Sequence, residues 1–229
     1  MITVYAVKID SEPDTISFRE LLQKITPDKK KTFLKFHRKE DAYRSLYAEL
    51  LIRYLLIQHH HFPHDTIKFH YTEYGKPYLQ NNSNLHFNLS HSGQWVVCAI
   101  SEKPVGIDIE KLSSIDLTIA EHVFSQAEMK HLFSLNENER ISCFFSLWTL
   151  KESYIKMKGK GLSMELKEFS IFLKEENIFI ENDDEKERVY FKQYTIDNEY
   201  AMAVCSLEQA FSAITMIDQK ELTAFGLQL

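Results

Sequence analysis

The feature that most constrains the fold is that each half of the chain has helices and a few short strands that are mainly linked as hairpins. Apolar residues at helical spacing predict one long helix over about residues 39–60 and a second over about residues 138–157. The predicted strands lie near residues 2–9, 67–72, 86–90, 95–101, 105–110, 169–173, 189–195, 200–206 and 213–217. Because turns, and not helices, link most consecutive strands, the pattern favours an α+β fold with mainly antiparallel sheets.

Shorter helices are predicted from local start signals. In the first half they are the segment SFRELLQKI and a segment that starts at Thr26, a favourable N-cap that is followed by proline. In the second half, Ser125 and Glu128 have the S-x-x-E spacing of a capping box, which predicts a helix over about residues 129–135.

Charge and composition argue against several classes of function. The 229 residues carry a net charge of −6, which disfavours a general nucleic-acid-binding protein. The sequence has neither a signal-peptide pattern nor an apolar run long enough to cross a membrane, so we expect a soluble cytoplasmic protein without membrane contact. It has only six glycines and no G-x-G-x-x-G or P-loop motif, so the usual nucleotide-binding loops are absent.

Cysteine and histidine spacing gives little support to a zinc site. Cys98, Cys143 and Cys205 are far apart and each lies in an apolar pattern, so we predict reduced thiols. No C-x-x-C motif is present. The run HHHFPH at residues 59–64 is predicted to be a solvated helix end, with metal binding as the alternative, because consecutive helical side chains point about 100° apart.

The stretch PVGIDIE alternates acidic and apolar residues. On a strand, Asp108 and Glu110 share one face, about 7 Å apart along the chain, and Ile107 and Ile109 share the other. One interpretation is a solvent-facing strand whose acids aid solubility. The other is a site for a hard cation such as Mg²⁺, which binds carboxylates and substrate phosphates and would need a further ligand from elsewhere in the chain.

The helix that contains LKESYIK supplies a candidate for that further ligand. Glu152 and Lys156 lie one helical turn apart beside an apolar arc, where an ordinary surface ion pair would contribute about 0.3–0.5 kcal/mol. Lys151 lies inside the apolar arc, so its ammonium must either extend to solvent or meet an anion. We predict that a phosphate group satisfies both Lys151 and Lys156.

Residues 24–44 form a basic segment in an acidic chain. Eight lysines or arginines and three acids give this segment a net charge of +5, which leaves −11 for the other residues. A solvated helix face is the usual explanation of such a run. The alternative is a site for a polyanionic small molecule, because lysine suits phosphate as a point charge and arginine as a bidentate donor.

The stretch NLSHSGQW contains a serine and a histidine where a predicted strand ends. Ser90 and His91 are adjacent, and adjacent side chains on a strand diverge, so they do not form a nucleophile–base pair. The G-x-S-x-G motif is also absent. A serine-hydrolase triad is therefore rejected.

Five motifs occur in a specific order and spacing. They are EYGKPYL (73–79), HFNLSHSG (86–93), VGIDIE (105–110), FSQAE (124–128) and LWTLKESYIKMKGKGL (147–162). Together they resemble the surfactin-type 4'-phosphopantetheinyl transferases over most of the chain. The resemblance implies a pseudo-dimer of two similar α+β halves with coenzyme A in the cleft between them, and we place the halves at residues 1–103 and 104–229.

The resemblance also implies a reaction and a role for individual residues. The reaction is Mg²⁺-dependent transfer of phosphopantetheine from coenzyme A to a serine of an apo carrier protein, with release of 3',5'-ADP. The implied metal ligands are Asp108, Glu110 and Glu152, and the implied catalytic residues are Glu152 and Lys156. The implied coenzyme A contacts are Lys29, Arg44, Ser45, Lys76, Ser90, His91 and Lys156. Glu128 matches an acid near the metal, and its capping-box role is an equal alternative.

Two other functions stay open alongside the transferase. One is an Mg²⁺-dependent phosphohydrolase that uses the same three acids, and the other is a non-catalytic binder of coenzyme A or carrier protein. The intact D-x-E and K-E-x-x-x-K motifs disfavour the binder. For the transferase we expect a monomer whose partners are coenzyme A and the peptidyl or acyl carrier domains of peptide or polyketide synthases, as in antibiotic biosynthesis.

Overall fold

The structure is a computed structural model that describes residues 1–10, 15–24, 38–80, 82, 84–174, 177–181 and 187–229. Its strands are β1 (Ile2–Lys8), β2 (Phe69–Tyr71), β3 (Pro77–Leu79), β4 (His86–Ser92), β5 (Trp95–Ser101), β6 (Val105–Lys111), β7 (Ser170–Lys174), β8 (Asn177–Glu181), β9 (Tyr190–Gln193), β10 (Tyr200–Ser206) and β11 (Phe211–Ile217). Its helices are α1 (Thr15–Lys24), α2 (Lys39–Gln58), α3 (Ala120–Val123), α4 (Gln126–Ser134), α5 (Glu137–Lys158) and α6 (Gln219–Gln228), with short 3-10 turns at His64–Thr66, Leu117–Ile119, Gly161–Ser163 and Leu166–Glu168. The helix predicted from Thr26 lies outside the described residues.

The helices begin and end where local chemistry indicates. The predicted capping box is present at α4, where Ser125 accepts from the main chain of Glu128 and the Glu128 carboxylate accepts from that of Ser125. A second capping box starts α5, and Gly159 ends that helix in the left-handed conformation, with φ of 69°. The predicted starts of α2 and α5 are confirmed within one residue, whereas α6 was not predicted. No disulfide joins the three cysteines.

The two halves of the chain repeat one topology, which confirms the implied pseudo-dimer of α+β halves. In the first half the order is β1, the long helix α2, the hairpin β2–β3, β4 and β5, and β5 lies between β1 and β4 in the sheet. In the second half the order is β6, the long helix α5, the hairpin β7–β8, β9 and β10, and β10 lies between β6 and β9. All of these sheet pairings are antiparallel.

The end of the chain returns to the first half. β11 pairs in parallel with β1, which gives a sheet of order β11-β1-β5-β4. α6 packs against α1 and α2 so closely that a Cβ added at Gly226 would lie 2.6 Å from a methyl carbon of Leu21 and 2.8 Å from one of Leu50. The predicted division of the chain into residues 1–103 and 104–229 stays a prediction. β11 and α6 follow residue 104 in the sequence but pack on the first half.

An apolar layer joins the two sheets. β1 and β5 present one face to α2 and the other to the second sheet, so β5 is buried at every residue. Ile107 and Ile109 of β6 are fully buried in this layer, and burial of one such side chain contributes about 1.5–3 kcal/mol. The predicted apolar face opposite Asp108 and Glu110 is therefore confirmed. In the described part of the chain, no helix is long and apolar enough to span a membrane.

Gly106 lets the main chain of α5 lie directly on β6. A Cβ added at this position would lie 2.0 Å from the carbonyl oxygen of Ser153 and 2.4 Å from the amide nitrogen of Met157. Both of these atoms belong to the backbone, so no side-chain rotation relieves the contact. The absence of a side chain at position 106 therefore sets the distance between the helix and strand that carry the candidate site.

The variant Gly106→Ala is expected to lower the free energy of unfolding by about 3 kcal/mol, because the added methyl displaces α5 from β6. Urea denaturation measures this change. Gly75→Ala is the control: Gly75 has φ of +82° and no heavy atom within 4 Å of an added Cβ, so only its conformational cost of about 1–2 kcal/mol applies. A loss at Gly106 no larger than that at Gly75 would contradict the close packing.

Candidate active site

The candidate site lies where β4 of the first sheet runs beside β6 of the second. Asp108 on β6 is only 3% exposed. Its Oδ1 accepts hydrogen bonds from Ser90 Oγ at 2.9 Å and from Lys156 Nζ at 2.6 Å. Its Oδ2 is also buried, and no group among the described residues donates a hydrogen bond to it. Since buried polar atoms are normally satisfied, this oxygen is suited to an additional ligand.

Glu110 on β6 and Glu152 on α5 bring two more carboxylates to the site, and both are half-buried. Burial raises the pKa of Glu110, and the negative charges of Asp108 and Glu152 raise it further. A hydrogen bond from Ser92 Oγ at 2.8 Å and the charge of Lys156 act in the opposite direction. Burial and the charge of Asp108 likewise raise the pKa of Glu152. The three carboxylates therefore repel one another, and a cation between them would relieve that repulsion.

These carboxylates do not converge into a closed metal cage. Across the ranges that the structure describes, no three histidine, cysteine, aspartate or glutamate side chains are disposed to hold a metal ion. The cation that contacts Asp108 directly is the ammonium of Lys156. The metal-ligand roles of Asp108, Glu110 and Glu152 therefore stay a prediction.

Groups that favour an anion lie beside the carboxylates. Lys156 Nζ, which belongs to a side chain that is 28% exposed, also donates to Ser90 Oγ at 3.0 Å. Arg44 on α2 donates to the carbonyl oxygen of Gly93 at 2.9 Å, which ties this helix to the turn after β4. Burial lowers the pKa of His91, and the positive charges of Arg44 and Lys156 lower it further. A negatively charged ligand near His91 would be stabilised by the cations around it.

Lys76 has a structural role that the sequence did not indicate. Its Nζ donates to the carbonyl oxygens of Val105, Lys156 and Met157 at 3.0, 2.6 and 3.2 Å. An ammonium has three donors, so these contacts use all of them. Burial lowers the pKa of Lys76 to about 8. The side chain thus joins the β2–β3 hairpin of the first half to β6 and to the last turn of α5.

The other predicted coenzyme A contacts have different positions relative to the site. Ser90 and His91 lie on β4 within it, and Ser45 is half-buried beside Arg44 on α2. Lys29 lies outside the described residues. The contacts of these residues and of Lys76 with coenzyme A stay predictions.

The prediction that a phosphate group satisfies Lys151 is wrong, because the anion that Lys151 contacts is the carboxylate of Glu128. Lys151 is 0% exposed, and its Nζ lies 2.9 Å from Glu128 Oε2 and 2.7 Å from the carbonyl oxygen of Phe169. Glu128 Oε1 accepts from the amide of Ile171 at 2.8 Å, and Oε2 accepts from that of Ser125 at 2.8 Å. With both carboxylate oxygens engaged in this buried network, Glu128 caps α4 and neutralises Lys151.

The sequence prediction missed Ser92, which contacts Glu110. Asn88, Ser90 and Ser92 occupy alternate positions of β4, so all three face the same side of the strand. That two-residue period of small polar side chains was a signal in the sequence, but it does not indicate which strand lies opposite.

Comparison with known proteins finds two family models that together span most of the chain. The model of the 4'-phosphopantetheinyl transferase superfamily matches residues 104–205, and the model described as 4'-phosphopantetheinyl transferase, N-terminal, matches residues 11–103. Among solved structures, the holo-[acyl-carrier-protein] synthase of Thermotoga maritima is 18% identical, with a TM-score of 0.40 over 47% of this chain and 64% of that one. A likeness at that level supports no conclusion about this chain.

Individual relatives match over nearly their whole lengths. The 4'-phosphopantetheinyl transferase gsp of Aneurinibacillus migulanus is 41% identical over 94% of this chain and 89% of the relative. The 4'-phosphopantetheinyl transferase Sfp of Bacillus subtilis (strain 168) is 38% identical over 96% of this chain and 99% of the relative. With this identity over both halves of the repeated fold, the chain belongs to the 4'-phosphopantetheinyl transferases, a family of enzymes.

Proposed function

We propose that this enzyme transfers the 4'-phosphopantetheine group of coenzyme A to a serine of an apo acyl or peptidyl carrier protein, in the presence of Mg²⁺, and releases 3',5'-ADP. The observation that carries the proposal is the group of three mutually repelling carboxylates beside Lys156, with a buried Asp108 oxygen that has no hydrogen-bond donor in the described ranges. Such a group combines acceptors for a hard cation with a donor for phosphate oxygens.

The donor set fits Mg²⁺, because all of its members are carboxylate oxygens and one of them lacks a partner among the described residues. Asp108, Glu110 and Glu152 would hold the ion. Bound there, Mg²⁺ would neutralise the charge of the pyrophosphate of coenzyme A as that charge increases in the transition state. Lys156 would then have a phosphate oxygen as its anionic partner in place of, or together with, Asp108.

Glu152 and Lys156 have distinct roles in the proposed reaction. The serine hydroxyl of the carrier attacks the phosphorus that bears the pantetheine group, and the bond from this phosphorus to the oxygen of 3',5'-ADP breaks. Glu152 accepts the serine proton, directly or through one water. Lys156 donates to the departing phosphate and stabilises its developing charge.

The groups around His91 suit the second anionic end of coenzyme A. Burial lowers the pKa of His91, and the charges of Arg44 and Lys156 lower it further, while Asp41, which pairs with Arg44, opposes this shift. A phosphate dianion placed there would lie near the two cations and favour the protonated histidine. Ser45 and Lys29 are proposed to contact this same end of coenzyme A. Binding at this distant point orients the reacting phosphorus toward the serine, which contributes to the rate without any chemistry at that point.

We also propose that the enzyme is a cytoplasmic monomer that acts without nucleic acid or membrane. The carrier domains of peptide or polyketide synthases, as in antibiotic biosynthesis, are its proposed partners. The net charge of −6 supports the part of this proposal that concerns nucleic acid. Gel filtration with light scattering tests the monomer, and an activity survey across several apo carrier proteins identifies the preferred class of partner.

One assay tests the reaction and separates it from its alternatives. The enzyme is incubated with coenzyme A, Mg²⁺ and an apo peptidyl carrier protein, and the intact mass of the carrier is measured. A mass increase of one phosphopantetheinyl group that EDTA prevents supports the proposal. An unchanged carrier contradicts it, release of phosphate from coenzyme A without carrier indicates a phosphohydrolase, and binding without either product indicates a non-catalytic binder.

A further inference from the structure

β4 and β6 are joined by side chains where a continuous sheet would use the main chain. Each strand is at the edge of its own sheet, and the two run side by side in the same direction. Alternate main-chain amides of β6 donate to alternate side chains of β4. The pairs are Ile107 with Asn88 Oδ1, Ile109 with Ser90 Oγ, and Lys111 with Ser92 Oγ, at 2.9, 3.4 and 3.0 Å.

Each serine of this ladder also makes a second contact, with a carboxylate of β6. Ser90 Oγ accepts from the amide of Ile109 and donates to Asp108 Oδ1 at 2.9 Å. Ser92 Oγ accepts from the amide of Lys111 and donates to Glu110 Oε2 at 2.8 Å. A hydroxyl has one proton to donate and two lone pairs, so it can serve both partners at once. The residue that precedes Ile107, in the position that corresponds to Asp108 and Glu110, is Gly106, which has no carboxylate.

This arrangement fixes each carboxylate relative to the backbone of its own strand. Without the hydroxyl of Ser92, the half-buried side chain of Glu110 would rotate among rotamers, and binding of a cation would then have to order it. Ser90 has a further partner in Lys156, so removing it would disturb several contacts at once. Substitution of Ser92 therefore tests the effect of the ladder on a single carboxylate, that of Glu110.

We propose that Ser92 is a positioning residue for Glu110 and sets the affinity of the carboxylate group for its divalent cation. The proposal deepens the proposed function and rests on it. Hydrogen bonds that orient a ligating carboxylate from outside typically change metal affinity by about 10- to 100-fold. The β4 side chains thereby link the first half of the fold to the cation site on the second.

Binding of Mn²⁺, followed by electron paramagnetic resonance in the presence of coenzyme A, tests the proposal without relying on turnover. Ser92→Ala is expected to weaken Mn²⁺ binding about 10-fold and to raise the Mg²⁺ concentration needed for half-maximal transfer to a similar extent. Ser92→Thr, which keeps the hydroxyl and suits a strand, is expected to restore wild-type affinity.

Ser101 offers a matched control away from the site. Its Oγ also accepts from a main-chain amide, that of Lys103 at 3.1 Å, and donates to a carboxylate, that of Glu208 at 2.7 Å. Ser101→Ala is expected to leave Mn²⁺ affinity unchanged within about twofold, and its thermal unfolding shows what the loss of such a serine does to stability alone.

The outcomes separate this inference from the proposed function. If the wild-type enzyme modifies the carrier but Ser92→Ala keeps wild-type Mn²⁺ affinity, or weakens it no more than Ser101→Ala does, the positioning role is wrong and the proposed function stands. If the wild-type enzyme neither binds Mn²⁺ with coenzyme A nor modifies the carrier, the proposed function is wrong and the positioning role falls with it.

Discussion

Asp108→Asn is expected to lower kcat for phosphopantetheine transfer by at least about 10³-fold at saturating Mg²⁺ and coenzyme A, which corresponds to about 4 kcal/mol. The neutral amide cannot both accept from Lys156 and serve as an anionic ligand. The fold is expected to persist, because Lys156 is 28% exposed and water can solvate its ammonium. Initial rates of carrier modification measure kcat, and thermal unfolding shows whether the fold persists.

Asp65 provides the control for this charge change. It is an exposed acid in the 3-10 turn His64–Thr66, outside the candidate site, so Asp65→Asn is expected to keep the wild-type rate within about twofold. Retention of more than about a tenth of the wild-type kcat by Asp108→Asn would show that Asp108 is not a metal ligand in the reaction.

Glu128→Gln is expected to lower the free energy of unfolding by about 3–5 kcal/mol at pH 7. The substitution keeps the shape of the side chain but leaves the ammonium of Lys151, which is 0% exposed, without its anion. Burial already lowers the pKa of Lys151, and Glu128 opposes that shift, so the variant removes the group that stabilises the charged form. Urea denaturation followed by circular dichroism measures the loss.

Glu139 allows the capping contribution to be separated from that of the ion pair. It occupies the same position in the capping box of α5 but is exposed, so Glu139→Gln is expected to cost about 1 kcal/mol or less. Glu128→Leu combined with Lys151→Met removes the uncompensated charge but leaves the amides of Ser125 and Ile171 without their acceptor, so it is expected to recover only part of the stability. Equal losses for Glu128→Gln and Glu139→Gln would contradict the buried ion pair.

The carboxylates of the candidate site were predictable because their placement depends on local periodicity. A strand alternates its faces, so burial of Ile107 and Ile109 in the layer between the sheets directs Asp108 and Glu110 to the opposite face. A helix returns to the same face every three to four residues, so Glu152 and Lys156 reach one side of α5. The same local patterns predicted α2, α5, β5 and β10.

Contacts between distant segments were not predictable from those patterns. Periodicity indicated that Lys151 lies in the apolar arc of its helix, but the expected phosphate was wrong, since Glu128 on another helix is its partner. Lys76 was expected to contact coenzyme A, and the structure shows its ammonium bound to the main chain of β6 and α5. Either lysine has several possible anionic or carbonyl partners, and only the packed structure shows which protein groups lie within reach of its ammonium.

The sequence by itself determined the α+β class, the two long helices and most of the strands, and the faces on which Asp108, Glu110, Glu152 and Lys156 lie. These properties depend on residues a few positions apart, whose geometry follows from backbone sterics and burial. The tertiary structure decided that β11 pairs with β1, that β4 lies beside β6, and that Ser92 therefore reaches Glu110. Such pairings join segments far apart in the chain, and their energies depend on which surfaces meet when the two halves pack.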